Sequence, residues 1–250
     1  MTLLAGFLAL VVGLTLGLLG GGGSILTVPA IVFAFGIDPK TAVVMSLPIV
    51  GGAALVGAVR HARMGNVDLP VAIPFGISAM LGAYGGAWIG RFLEGRTQLI
   101  ILAVVMFLAA ISMLRRTPPR EPAETTPHRV TPQLLLVGVA TGVLTGMVGI
   151  GGGFLLVPAL VLLASVSMHK AVGTSLLVIT MNTAAGYAGY HGAVVVPWDL
   201  VLWFGGLASV GILVGTALVP RVPQIALKRA FALLLIVVAS SIVWQDLAVR

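Results

Sequence analysis

Two glycine runs offer the chain its best place to hold a ligand. They are Gly20, Gly21, Gly22 and Gly23 with Ser24, and Gly149, Gly151, Gly152 and Gly153. Each interrupts an uncharged, apolar stretch. Glycine costs roughly 1 kcal/mol per residue in a helix relative to alanine, so such a run is expected to break one. The helix that restarts after the break points its unpaired N–H groups and positive dipole end into the gap, which makes an anion site out of backbone. At membrane depth such a break is tolerated only where the freed backbone is buried in protein or lines a cavity. The competing reading is close helix packing, which small residues permit. The recurrence of the pattern favours a site.

Few polar side chains lie in the apolar stretches around these runs. Ser24 and Thr27 follow the first break, and Ser46 stands between Met45 and Leu47. Thr174 and Ser175 are the second-half equivalents, with Thr180, Asn182 and Thr183 one to two turns on. Hydroxyls and an amide donate to an oxyanion without bringing a fixed charge. Ser46, Thr174, Ser175 and Asn182 are therefore candidates for substrate contact alongside the glycines. The ordinary alternative is that Ser and Thr bond back to carbonyls of their own helix. No Lys or Arg lies in the middle of an apolar segment, so backbone dipoles must balance a bound anion. A helix terminus carries roughly half an elementary charge, so two facing termini suit a monoanion better than a dianion.

Other chemistries find no home. There is no cysteine, no carboxylate pair or histidine cluster within a segment, and no Gly-Lys-Ser/Thr ending of a P-loop. The expectation is no enzyme, no metal and no cofactor. The short run Val148 to Gly153 has neither the preceding strand nor the following acidic residue of a dinucleotide fingerprint.

The elements that hold these residues come in duplicate. Gly17 aligns with Gly146, Gly20 with Gly149, Pro29 with Pro158, Ser46 with Ser175 and Gly86 with Gly215, at one offset (146 − 17 = 129). A repeat of this length is half a protein, as in transporters built from two halves. Residues 1–114 form the first membrane repeat and 133–250 the second. The stretch 115–132, rich in proline and charge, is an extended polar linker. Gly82, Gly86 and Gly90, like Gly211 and Gly215, have the small-xxx-small spacing of packed helices.

The 250 residues are 59% hydrophobic and 8% charged, with a mean hydropathy of +1.14. This is the composition of an all-α integral membrane protein, and the long apolar runs exclude a transmembrane barrel. The net charge of +7 sits in the connections, where it meets anionic lipid, and does not indicate nucleic acid. Apolar segments fall at about 3–19, 22–36, 41–59, 69–90 and 97–114, then 133–148, 151–165, 171–190, 200–219 and 226–245. Segments 22–36 and 151–165 are short for a span and either cross at a tilt or re-enter. If each half returns to its starting side after its second segment, Arg60, Arg63, Arg115, Arg116, Arg120, Arg129, Lys170, Arg221, Lys228 and Arg229 share the linker's side. Only Lys40, Arg91, Arg96 and Arg250 face the other way, ten against four. The positive-inside rule then predicts inverted repeats with a cytoplasmic linker, the helices broken near the bilayer midplane.

With these residues in view, the chain resembles the TauE/SafE family of permeases, often called sulfite exporters. The resemblance rests on the doubled motifs Gly20 to Ala30 and Gly149 to Ala159. It rests also on Lys170-Ala171-Val172-Gly173-Thr174-Ser175-Leu176, and it covers nearly the whole chain. The first half departs from that second block: Thr41-Ala42-Val43-Val44-Met45-Ser46 lacks the Gly-Thr pair. The resemblance implies a multi-pass protein of a bacterial or archaeal inner membrane that exports small sulfur oxyanions such as sulfite, sulfonates or sulfoacetate. The reading from another class is a membrane accessory or assembly protein that binds a partner subunit and moves nothing.

Overall fold

The computed structural model describes residues 2–115, 131–149, 153–164, 166–218, 232–233 and 235–244. The described residues hold helices and no strand. In chain order they are α1 (Thr2–Leu19), a 3-10 turn (Gly22–Leu26), α2 (Thr27–Phe35), α3 (Pro39–Arg63), α4 (Leu69–Gly90) and α5 (Gly95–Arg115). After the linker come α6 (Pro132–Val148), α7 (Gly153–Leu163), α8 (Met168–Gly189), α9 (Trp198–Leu218) and α10 (Leu235–Trp244). Among the described residues α3, α4 and α9 are long and apolar enough to cross a membrane. Linker residues 116–130 lie outside the described part.

Local chemistry sets the helix ends where hydropathy alone does not. Asp38 caps α3, its Oδ2 accepting from Thr41 N at 3.0 Å, with Pro39 in the first turn. Asp68 caps α4 by accepting from Val71 N at 3.2 Å, and Thr131 caps α6 by accepting from Leu134 N at 3.2 Å. A side-chain oxygen at this position satisfies one of the four N–H groups a helix start leaves orphaned. Proline in the first turn gives up a donor that had no partner there. The caps are polar, so α3 begins before the apolar segment expected at 41–59 and runs past it to Arg63.

Helices of one half pack on helices of the other. Gly82 and Gly86 of α4 lie against the backbone of Val139 and Val143 in α6, and Gly142 and Gly146 of α6 lie against Ala79 and Ala83. Residue numbers rise together, so α4 and α6 run parallel. The α1–α9 pair repeats this arrangement with the halves exchanged. Gly13 and Gly17 face Ala208 and Ile212, while Gly211 and Gly215 face Leu10 and Leu14. Without side chains at these positions the helix backbones approach closely, which is how apolar helices gain attraction in lipid. Between these pairs α3 packs on α8 in the opposite sense. Gly51 faces Thr183, Gly57 faces Leu176, and Gly173 lies against His61, so these two helices are antiparallel.

The outer faces are apolar. Ile73, Ile77, Leu81, Tyr84 and Trp88 form an exposed stripe on α4, and Leu136 and Leu202 are exposed on α6 and α9. An exposed apolar surface of this extent fits a lipid environment. The polar residues Ser24, Thr27, Ser46, Thr145, Thr174, Ser175 and Asn182 are instead fully buried.

Candidate functional site

The first glycine run reverses the chain. α1 ends at Leu19, and Gly20 and Gly21 take φ of 60° and 109°. That left-handed region is open to glycine and costs other residues about 1–2 kcal/mol. The 3-10 turn then runs back along α1: a Cβ on Gly23 would meet Thr15 and Leu16. Ser24 Oγ donates to Gly21 O at 2.7 Å inside this turn, and α2 starts at the buried Thr27. Pro29 sits in the first turn of α2, where its missing N–H is tolerated.

The second run has the same start. α6 ends at Val148, and Gly149 takes φ 73° with its N–H donating to Thr145 O at 2.8 Å. Gly151 and Gly152 lie outside the described residues, and α7 begins at Gly153. The two runs meet there. A Cβ on Gly21 would stand 2.6 Å from Gly153 Cα and 2.5 Å from Ile179 Cδ1, and one on Gly153 would strike Gly21 itself. Backbone faces backbone at this point with no room for a side chain.

Each run is also tied to the opposite half. Ser46 Oγ on α3 lies 2.8 Å from Gly149 O and 2.6 Å from Val43 O of its own helix. Ser175 Oγ on α8 lies 2.7 Å from Gly20 O and 2.8 Å from Val172 O. The two arrangements map onto each other at the offset of the duplication, Ser46 on Ser175, Gly20 on Gly149 and Val43 on Val172. A hydroxyl has one proton. Both serines therefore use it on carbonyls.

The other candidates separate. Thr174 Oγ1 accepts from Asp68 N at 2.9 Å, which joins it to the start of α4. Thr183 bonds back to Ile179 O at 2.8 Å, and Thr180 to Leu176 O at 3.0 Å. Asn182 is different. Its Nδ2 donates to Thr145 Oγ1 on α6 at 3.0 Å, and Thr145 passes its own proton to Thr141 O at 2.8 Å. Asn182 Oδ1 is buried without a hydrogen-bond partner among the described residues, and so is Thr27 Oγ1. Leaving a buried polar atom unpaired costs about 1–3 kcal/mol. Thr27 Oγ1 can donate to a ligand, whereas Asn182 Oδ1 only accepts and suits a water or a proton-bearing ligand. That leaves the second Nδ2 proton of Asn182 as its donor to an anion.

Two polar residues escaped the reading of the sequence. Thr145 lies one turn before the second break and orients Asn182. Gln98, fully buried on α5, has three acceptors within reach of the two Nε2 protons, Tyr190 Oη at 2.8 Å, Met147 O at 3.0 Å and Gly90 O at 3.1 Å. The available signal was a neutral polar residue inside an apolar segment, the same signal that marks Asn182. Tyr190, at the end of α8, is buried and donates to Met147 O at 3.2 Å.

Comparison with known proteins agrees with the membrane character of this architecture. Residues 5–242 match the sequence profile of the family described as sulfite exporter TauE/SafE. A probable membrane transporter protein of Xylella fastidiosa (strain Temecula1) is 34% identical over 95% of this chain and 93% of its own length. The probable membrane transporter protein YdhB of Bacillus subtilis is 29% identical, with 88% and 91% covered. One of Methanocaldococcus jannaschii is 29% identical, with 73% and 71% covered. No solved structure matches the chain.

Proposed function

The chain belongs to the TauE/SafE sulfite exporter family and is a membrane transporter, and from that premise we propose that it exports a small sulfur-containing oxyanion. Sulfite, simple sulfonates and sulfoacetate fit the class. The observation that carries this reading is the meeting of the two glycine runs, Gly21 against Gly153. The starts of the 3-10 turn that leads into α2 and of α7 then converge on one region. Each contributes about half a positive charge from its backbone. Among the described residues, the buried polar groups there are uncharged: Ser24, Thr27, Ser46, Thr145, Ser175 and Asn182. The backbone of Gly20 to Gly23, Gly149 and Gly153 forms the cradle in this reading, and Gly151 and Gly152, outside the described residues, belong to the same run. Asn182, oriented by Thr145, supplies the polar side chain within it, Ser46 and Ser175 hold its walls, and Thr174 fixes the neighbouring helix end.

The repeats 1–114 and 133–250 are inverted in this reading and sit in a bacterial or archaeal inner membrane, with the breaks near the midplane. Three observations support it. α3 and α8, equivalent at the repeat offset, pack antiparallel, while α1 runs parallel to α9 and α4 to α6. In an inverted pair α1 must oppose α6 and α4 must oppose α9, and the helix directions support that reading. The charge count on the linker side points the same way. The relatives come from bacteria and an archaeon.

Two half charges match one negative charge, so the transported form is a monoanion, bisulfite or a monosulfonate. The test is flux of labelled sulfite and sulfonates through purified protein in liposomes, across pH and membrane voltage. Sulfite flux should follow the bisulfite fraction and so fall as pH rises, while monosulfonate flux stays level. Flux that grows with the dianion would overturn the assignment. No flux for any sulfur anion would favour a protein that binds a partner subunit instead.

A further inference from the structure

Resting on the transporter reading above, we propose that Ser46 and Ser175 are two latches that keep the opposite faces of the transporter shut, and that each opens in turn. Their hydrogen bonds to Gly149 O and Gly20 O cross between the halves and are equivalent at the repeat offset. Because α3 and α8 are antiparallel, and both serines lie near the start of their helices, the two bonds sit at opposite ends of the central pair. Each latch therefore holds the break nearer one face. Both bonds are formed in this structure, which the scheme assigns to the occluded form of the cycle.

The serine geometry suits a bond that must break repeatedly. Ser46 has Val43 O at 2.6 Å and Ser175 has Val172 O at 2.8 Å as second acceptors on their own helices. When a glycine carbonyl leaves, the hydroxyl proton stays satisfied, and the cost of an orphaned buried donor does not arise. The released carbonyl belongs to a glycine at φ 60° or 73°, and glycine absorbs a change of backbone conformation with little steric penalty. Ser46 and Ser175 are positioning residues in this scheme and do not touch the anion.

The absence of cysteine permits a clean test. Ala53, 1% exposed in the middle of α3, is replaced by cysteine as a reporter of access to the interior. Right-side-out and inside-out vesicles then receive a membrane-impermeant maleimide. Ser46→Ala should raise labelling about fivefold from the face where α3 begins, the population shift given by losing one ordinary hydrogen bond. Ser175→Ala should do the same from the face where α8 begins. Gly149→Ala and Gly20→Ala, which strain the same breaks, should reproduce the two effects on the same faces. Ser78→Ala, whose hydroxyl bonds only within its own helix to Phe75 O, should leave labelling unchanged. Labelling raised from one shared face, or from neither, overturns the proposal. Sulfite flux in the same vesicles reports on the substrate alone: opposite-sided labelling without flux upholds the latches and removes only the assigned anion.

Discussion

Asn182 and Thr145 illustrate how one hydrogen bond can separate a ligand contact from its support. Replacing Thr145 with valine keeps the shape but removes the acceptor for Asn182 Nδ2. The amide is then stranded in a buried place, at a cost of about 1–3 kcal/mol. Asn182→Leu strands nothing, because Thr145 still donates to Thr141 O. Thr145→Val should therefore lower the thermal midpoint more than Asn182→Leu does. Asn182→Leu should abolish sulfur-anion flux even in protein that remains stable. Flux measured beside unfolding in detergent checks both. A fully active Asn182→Leu variant would remove Asn182 from the site.

At the scale of helices, the glycine positions divide into those that touch another helix and those that do not. A Cβ on Gly86 would meet Val143 O, and one on Gly215 would meet Leu14 O, the equivalent contact with the halves exchanged. Neither backbone can yield without separating a helix pair. Gly86→Ala and Gly215→Ala should each destabilise by about 1–3 kcal/mol, and by similar amounts. Gly85 and Gly206 have nothing within 4 Å of such an atom. There alanine should be neutral or slightly stabilising, since it is favoured over glycine by roughly 1 kcal/mol in a helix. Thermal unfolding of the four variants is the measurement. Equal losses at all four would mean that the close pairs do not set stability. By contrast, alanine at Gly20 or Gly149 enters a left-handed conformation, so its effect on flux should exceed that on amount of folded protein.

For the whole molecule, the inverted reading places the α3–α4 turn and the α8–α9 turn on opposite faces of the membrane. Met64 in the first turn is 50% exposed and Val195 in the second is 93% exposed, and neither competes with a native thiol. In intact cells Val195→Cys should react with an impermeant maleimide, and Met64→Cys should react only after permeabilisation. Reaction of both from outside would exclude inversion and favour parallel repeats. The prediction also carries the positive-inside argument, because Arg60 and Arg63 lie just before the Met64 turn.

The sequence by itself determined the helical class, the duplication and the places where α1 and α6 end, at Leu19 and Val148. These are local properties: apolar runs demand helices, and glycines at 20–23 and 149–153 make continuation costly whatever surrounds them. It also marked Gly82, Gly86, Gly211 and Gly215 as contact positions. What it could not supply was the partner at each contact. An offset of 129 residues says that two segments are alike, and α1 could satisfy its glycine stripe against any apolar helix with small residues. Only the folded chain decided that α1 goes to α9 and α4 to α6, because close approach requires small residues facing a matching backbone along the whole pair. The same holds for Ser46 and Ser175. Their types suggested donors to a ligand, but the tertiary structure brought a glycine carbonyl of the other half within reach of each hydroxyl. A single proton is shared between that carbonyl and one of the serine's own helix, Val43 O or Val172 O, and only packing across more than a hundred residues of chain brought the second acceptor there.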